Sequence, residues 1–150
     1  MMALSNDLLL GPALKEARRG FAEGGVPVGS ALWDGETLLA FGRNRRVQLG
    51  DPILHGEMDC FRTAGRLPAD VYRRSTMVTT LSPCDMCTGA ILLFGVPRVI
   101  IGENRNFLGG EALLRERGVE VTVMDEAECA SLMADFIREN PDVWNEDIAV

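Results

Sequence analysis

The sequence predicts an α/β fold: a mixed five-stranded sheet covered by helices on both faces, in three layers (α/β/α). Three observations carry this. Asp34-Gly35 separates two apolar runs, residues 26–32 and 37–42, which is the signal of a β-hairpin. Helical and strand-like segments then alternate to the end of the chain, the pattern that builds parallel strand pairs with crossover helices. Residues 76–80 (Thr-Met-Val-Thr-Thr) are rich in β-branched side chains and show no polar alternation, as a central strand buried on both faces requires.

Taken in order, Ser5-Asn6-Asp7 supply N-cap residues, and Leu8, Leu9, Ala13, Leu14, Ala17 and Phe21 recur at helical spacing up to Gly24-Gly25. Gly11-Pro12 interrupts the pattern, so the regular helix is expected to start there, with Pro12 in its first turn. After the hairpin comes a polar loop over residues 43–53. A helix over 55–64 is expected next, stopped by Gly65 with Pro68 beyond it. The strand at 76–80 leads to a helix over 85–94, closed by Gly95. Strands at 97–101 and 119–123 flank a helix at 111–117. Residues 127–139 form an amphipathic helix with Leu132, Met133, Phe136 and Ile137 inward. The tail, residues 140–150, holds Trp144 among several acids. No repeat or linker divides the chain, so residues 1–150 read as one domain.

Composition narrows the class. The chain of 150 residues is 47% hydrophobic and 25% charged, values of a soluble globular protein. No apolar run reaches the ~20 residues of a membrane span. Residues 1–10 lack the basic start and long apolar stretch of a secretion signal, so a cytoplasmic location is expected. Thiols stay reduced there, and the four cysteines are read for metal binding or packing rather than disulfides. The net charge of -7 argues against a nucleic-acid partner, which needs clustered Lys and Arg. A small uncharged ligand suits the balance better.

The chemistry concentrates in His55-Gly56-Glu57 and in Thr80-Leu81-Ser82-Pro83-Cys84-Asp85-Met86-Cys87. Cysteines three apart share one side of a helical turn, so both sulfurs can reach one metal. With His55, the only histidine, they make three ligands. Three protein ligands leave the fourth position of a tetrahedral zinc open for water, the catalytic rather than the structural arrangement. Both segments fall at expected helix starts, where the helix dipole favours thiolate. Residues two apart in a helix diverge, so His55 and Glu57 converge only if the chain is just entering the helix at that point. Glu57 would then stay off the metal and carry protons. Cys60 and Cys129 lie on apolar helix faces and are read as core.

On these residues the chain resembles the cytidine deaminase-like zinc deaminases, and more narrowly the fungal-type cytosine deaminases that act on the free base. H-x-E with P-C-x-x-C belongs to the whole superfamily. The run from Thr79 through Ala90 and the tail Trp144, Glu146-Asp147-Ile148 are narrower. Glu23–Gly29, Gly102-Glu103-Asn104 and Asn106-Phe107 extend the likeness over most of the chain. The resemblance implies one zinc per chain, Asn44 bonding the ring's polar edge, Asp147 accepting from the exocyclic amine and the Gly56 N–H donating to the substrate carbonyl. It further implies that Phe107 and Trp144 wall the ring and that Val28 and Leu81 line it. The tail from about Pro141 to Val150, which holds a tryptophan among acids, is itself expected to close over the ring as a lid. A homodimer joined through the ligand-bearing helices is also implied, and the apolar run Ile91-Leu92-Leu93-Phe94 fits a helix covered on more than one side.

Val47 and Asn145 depart from the pattern, standing where cytosine deaminases have aromatics. Were either to border the pocket, the cavity would be roomier and more polar than a pyrimidine needs. The expected activity is therefore hydrolytic deamination of a free heterocyclic base, cytosine to uracil first, with purine, pterin or creatinine-type amidines as alternatives. A tRNA adenosine deaminase shares the motif, but the acidic balance disfavours it. A structural-zinc binding module would need Cys60 or Cys129 as a fourth ligand.

Overall fold

The computed structural model describes residues 3–150; Met1 and Met2, part of the segment read for a secretion signal, lie outside the described residues. Helix α1 (Asn6–Ala22) starts at Ser5, whose hydroxyl accepts from the Leu8 N–H at 3.2 Å. The start expected at Pro12 is thus corrected: the helix runs straight through that residue. Pro12 removes one helical hydrogen bond, but Leu9, Leu10 and Ala13 on either side are buried against the sheet. Burial of that face outweighs the local penalty.

The chain then forms β1 (Gly29–Asp34), β2 (Thr37–Arg43), the short α2 (Arg46–Leu49), α3 (Gly56–Ala64), the short α4 (Ala69–Tyr72) and β3 (Ser75–Leu81). It continues through α5 (Asp85–Phe94), β4 (Arg98–Glu103), α6 (Glu111–Glu116), β5 (Glu120–Val123), α7 (Ala127–Glu139) and α8 (Pro141–Asp147). The first strand begins three residues later than expected, because residues 26–28 make a tight turn closed by the Val28 N–H on the Val26 carbonyl (2.8 Å). Pro27 in that turn has no N–H for a ladder. Three one- or two-turn helices, α2, α4 and α8, occupy stretches too short to show periodicity.

The sheet order is β2-β1-β3-β4-β5. Strand β1 pairs antiparallel with β2 and β3, whereas β3–β4 and β4–β5 are parallel, so the sheet is mixed as expected. Neighbouring residues of the central strands serve opposite faces. Ala31, Val78 and Ile100 pack with Leu9, Leu10, Ala13 and Cys129 beneath α1 and α7. Leu32, Met77, Val99 and Ile101 pack with Cys60, Phe61, Ile91 and Leu114 beneath α3, α5 and α6. Helix α1 lies so close to the sheet that a Cβ on Gly29 would stand 1.9 Å from the Ala13 carbonyl oxygen. A third cluster, Val26, Val28, Leu81, Met133, Phe136 and Trp144, closes the end of the sheet where β3 stops. The candidate site lies there.

Candidate functional site

His55 is the N-cap of α3, with extended backbone (φ -64°, ψ 164°), and Cys84 is the N-cap of α5 (φ -67°, ψ 178°). His55 is therefore still outside its helix while Glu57 is in the first turn, which removes the divergence that a regular helix would impose. Cys87 follows one turn into α5. One ligand atom from each of His55, Cys84 and Cys87 lies within 4.8 Å of the others. The His55 ring turns Nδ1 toward Cys84 Sγ (3.3 Å) and Nε2 toward Asp147 Oδ2 (3.3 Å).

The donor set suits zinc. The Cys84 thiol is pulled down to about 4, first by the hydrogen bond from Cys87 and then, against the opposing effect of burial, by His55. The Cys87 thiol is pushed up by the Cys84 sulfur beside it and by burial. Burial acts to lower His55, but Cys84, Asp147 and Glu57 outweigh it and raise the imidazole to about 9. One nitrogen and two sulfur donors thus converge, with a thiolate among them, the donor chemistry of a Cys₂His zinc site. The three residues fit one zinc ion per chain.

Glu57 is buried behind these donors. Ser30 Oγ (3.3 Å) and Thr79 Oγ1 (3.1 Å) both donate to its Oε1. Burial raises its pKa, and the negative charge at Cys84 adds to that. A carboxylate held by one oxygen, with raised proton affinity, has the character of a proton shuttle.

A small cavity of about 20 Å³ opens over this centre. Nine of the residues singled out in the sequence line it: Val28, Asn44, His55, Glu57, Leu81, Cys84, Phe107, Trp144 and Asp147. Cys87 lies behind the cavity, fully buried, and Gly56 contributes backbone at the start of α3 rather than a lining side chain. Ser82 and Ile148 line it as well, and sequence reasoning missed both, although each sits inside a quoted motif. Ser30 and Thr79 were also missed. Their only signal was a hydroxyl within an apolar strand.

Phe107 meets Trp144 edge-on, with ring centroids 6.0 Å apart. Trp144 is only 6% exposed and belongs to the third core cluster, so the tail ends in a helix docked on the core. Asn44 donates to Asp147 at 2.9 Å, and Arg46 ties the same helix through Glu146 at 2.7 Å. Burial raises the Asp147 carboxyl, with His55 and Asn44 opposing. Val47 and Asn145 are both exposed and neither borders the cavity, so the roomier pocket that their identities allowed does not arise. Cys60 and Cys129 are core residues, their thiols pushed up by burial, Cys129 to about 12. Neither joins the metal cluster among the described residues.

A second, open groove of about 500 Å³ runs outward from this cavity past Met86 and Leu108 and shares His55, Cys84, Phe107, Asp147 and Ile148 with it. Its charged lining is His55, Asp85 and Asp147, without Lys or Arg. Among the described residues, no helix is long and apolar enough to cross a membrane.

Comparison with known proteins agrees with this geometry. The chain is 54% identical over 137 residues to a cytosine deaminase of Candida albicans, covering 91% of each chain. It is 31% identical to a tRNA-specific adenosine deaminase of Streptococcus pyogenes, over 85% of this chain and 86% of the relative. A solved structure from work on A-to-I editing by tRNA:A34 deaminases at the wobble position superposes with a TM-score of 0.71 at 25% identity, covering 85% of this chain and 99% of that one. The family model for the cytidine and deoxycytidylate deaminase zinc-binding region matches residues 5–103. With its three-donor cluster and mixed five-stranded sheet, the chain belongs to this zinc-dependent deaminase family.

Proposed function

We propose that residues 1–150 form one hydrolytic deaminase domain that removes the exocyclic amine of a free heterocyclic base, with cytosine to uracil and ammonia as the reaction. The observation that carries this reading is the aromatic-walled cavity over the His55–Cys84–Cys87 cluster, with Glu57 in its lining. The 54% identical cytosine deaminase points to the same substrate. When bound by His55, Cys84 and Cys87, zinc supplies Lewis acidity and an activated water at neutral pH.

Glu57 takes one proton of the attacking water and passes it to the ring nitrogen. It then takes the second from the hydroxyl left on the ring carbon and hands it to the amine, which departs as ammonia as the carbonyl forms. Ser30 and Thr79 hold its Oε1 so that the other oxygen makes these transfers. Phe107, Trp144, Val28 and Leu81 sandwich the ring, the arrangement that favours a flat heterocycle. Asn44 and the Gly56 N–H bond its polar edge. Asp147 accepts from the amine with lone pairs left over from Asn44 and His55. At about 20 Å³ the cavity admits only a water-sized guest, so a ring enters from the outer groove as Phe107, Ile148 and α8 yield.

The 31% identical tRNA-specific relative raises an RNA substrate. The outer groove disfavours it, since it offers no Lys or Arg to a phosphate. A purely structural zinc is disfavoured because Cys60 and Cys129 are buried away from the cluster. Four free cysteines support a reducing, cytoplasmic setting, where deamination would serve salvage of free pyrimidines. A homodimer is part of this reading. Leu93 (79% exposed) and Ile53 border an apolar groove of about 580 Å³ with Met58, Phe61, Tyr72 and Phe94, next to the ligand-bearing helices α3 and α5.

The test is ammonia release by the zinc-loaded protein from cytosine, guanine, a pterin, creatinine and an anticodon stem-loop RNA. Cytosine is expected to be turned over fastest. Turnover of the RNA alone overturns the reading. Light scattering at micromolar concentration checks the dimer, and Leu93→Glu is expected to yield monomer.

A further inference from the structure

We infer that Glu111 and Ser82 act together as positioning residues that set the Phe107 wall of the pocket. The inference rests on the deaminase reading above for its kinetic consequences, but its structural basis stands apart from it. Phe107 sits in the loop between β4 and α6, and that loop is held at both ends by buried carboxylates. At its start Glu103, fully buried, accepts from the N–H groups of Arg105 (2.6 Å) and Asn106 (3.1 Å) and from the Asn106 side chain (2.9 Å). At its end Glu111, 3% exposed, accepts from the Ser82 hydroxyl at 2.6 Å and from the Asn104 amide at 3.3 Å.

Ser82 is the hinge between the two halves of the site. It lines the cavity, lies two residues before the ligand Cys84, and is equally buried at 3%. A serine hydroxyl has one proton. Because Glu111 takes it, the oxygen lone pairs are free for the Gly109 N–H, which donates to Ser82 Oγ at 2.9 Å. The Gly110 N–H donates to the Pro83 carbonyl at 2.9 Å, and Thr88 donates to that same oxygen at 3.2 Å. Contact here is too close for side chains: a Cβ on Gly109 would lie 1.9 Å from Pro83 O, and one on Gly110 would lie 2.3 Å from Thr88 Oγ1. The loop bearing Phe107 is therefore clamped onto the segment bearing Cys84. The ring reaches Trp144 from that clamp.

Stability alone does not call for such a residue. The ion pair of Glu111 with the half-exposed Arg115 is long, at 3.8 Å, so the buried carboxylate rests mainly on its hydrogen bonds from Ser82 and Asn104. An apolar side chain at that position would avoid the desolvation penalty. What the carboxylate adds is orientation: it fixes the Ser82 rotor, and through Gly109 it fixes the distance between the aromatic wall and the metal-ligand segment.

The test uses zinc-loaded Glu111→Ala, Ser82→Ala, the double variant and Glu111→Gln, with steady-state kinetics on cytosine and acrylamide quenching of tryptophan fluorescence. Glu111→Ala and Ser82→Ala are each expected to raise KM about tenfold with kcat little changed, since a misplaced wall costs ring binding. The double variant is expected to be no worse than Glu111→Ala alone, because the two act through one contact. Glu111→Gln keeps an oxygen for Ser82 and is expected to restore most of the affinity. If Glu111→Ala fails to fold, Ser82→Ala and Glu111→Gln carry the comparison. Quenching is expected to rise in both alanine variants as the Phe107 edge leaves Trp144, with Trp33, in the opposite core cluster, unaffected. Unchanged KM and unchanged quenching overturn the inference, as do fully additive effects. A wild-type protein inactive on cytosine would instead sink the substrate reading, and the quenching comparison would still decide this one.

Discussion

The Asn44 side-chain amide donates a 2.9 Å hydrogen bond to Asp147, joining the loop after β2 to the last helix across the mouth of the cavity. The other oxygen of Asp147 lies 3.3 Å from His55 Nε2, on the side of the ring opposite Cys84. One carboxylate thus secures α8 and orients a metal-binding imidazole. Such outer partners matter to the metal nearly as much as the ligands do. Asp147→Ala is expected to lower kcat/KM by about 10–100-fold and to loosen zinc in a chelator competition. Asn44→Ala is expected to lower kcat/KM while leaving zinc affinity closer to wild type, because it does not touch His55. Equal zinc loss in both variants would mean that α8 as a whole, and not the Asp147–His55 contact, steadies the metal.

Glu57 faces the donor cluster without belonging to it. Glu57→Gln preserves size and leaves an oxygen for Ser30 and Thr79, yet cannot accept the proton. It is expected to retain zinc and to lose about 10²–10⁴-fold in kcat. Elemental analysis alongside an ammonia assay checks both halves, and loss of zinc from this variant would place Glu57 among the ligands.

Cys87 is fully buried in the first turn of α5, and its sulfur is one of the three clustered donors. Cys87→Ala is expected to purify without stoichiometric zinc, while the wild type carries about one per chain. Retention of a full zinc complement by the variant would show that His55 and Cys84 suffice.

Acid sensitivity should follow Glu23. Its carboxylate accepts two hydrogen bonds from Arg43, at 2.8 and 2.9 Å. The Arg43 bonds, then that from Gln48, lower its pKa from 4.5 to about 2. The folded-state value lies below the unfolded one, so this contribution is complete above about 4.5 and is lost as pH falls toward 2. Because Glu23 is more than a third exposed, it is worth at most about 1 kcal/mol. Glu23→Gln is expected to lie below wild type in denaturant stability at pH 6 and to converge on it near pH 2. A constant gap across that range would show that the pair contributes nothing through charge.

Local spacing by itself determined the metal donors and most of the architecture. A Cys-x-x-Cys turn places its sulfurs on one side whatever the rest of the chain does, and α5 and α7 begin and end where capping and periodicity put them. The strand at β3 was legible because only a doubly covered strand is apolar on both faces. Tertiary structure decided the rest. Helix α1 passes through Pro12 because burial of Leu9, Leu10 and Ala13 outweighs a local penalty that sequence weighs alone. Val47 and Asn145 look like pocket changes in sequence and face solvent in the fold. Ser30 and Thr79 reach Glu57 from two different strands, and Ser82 reaches Glu111 from 29 residues away. Hydrogen bonds between distant segments leave no period in the chain. They exist only once the sheet has brought those segments together.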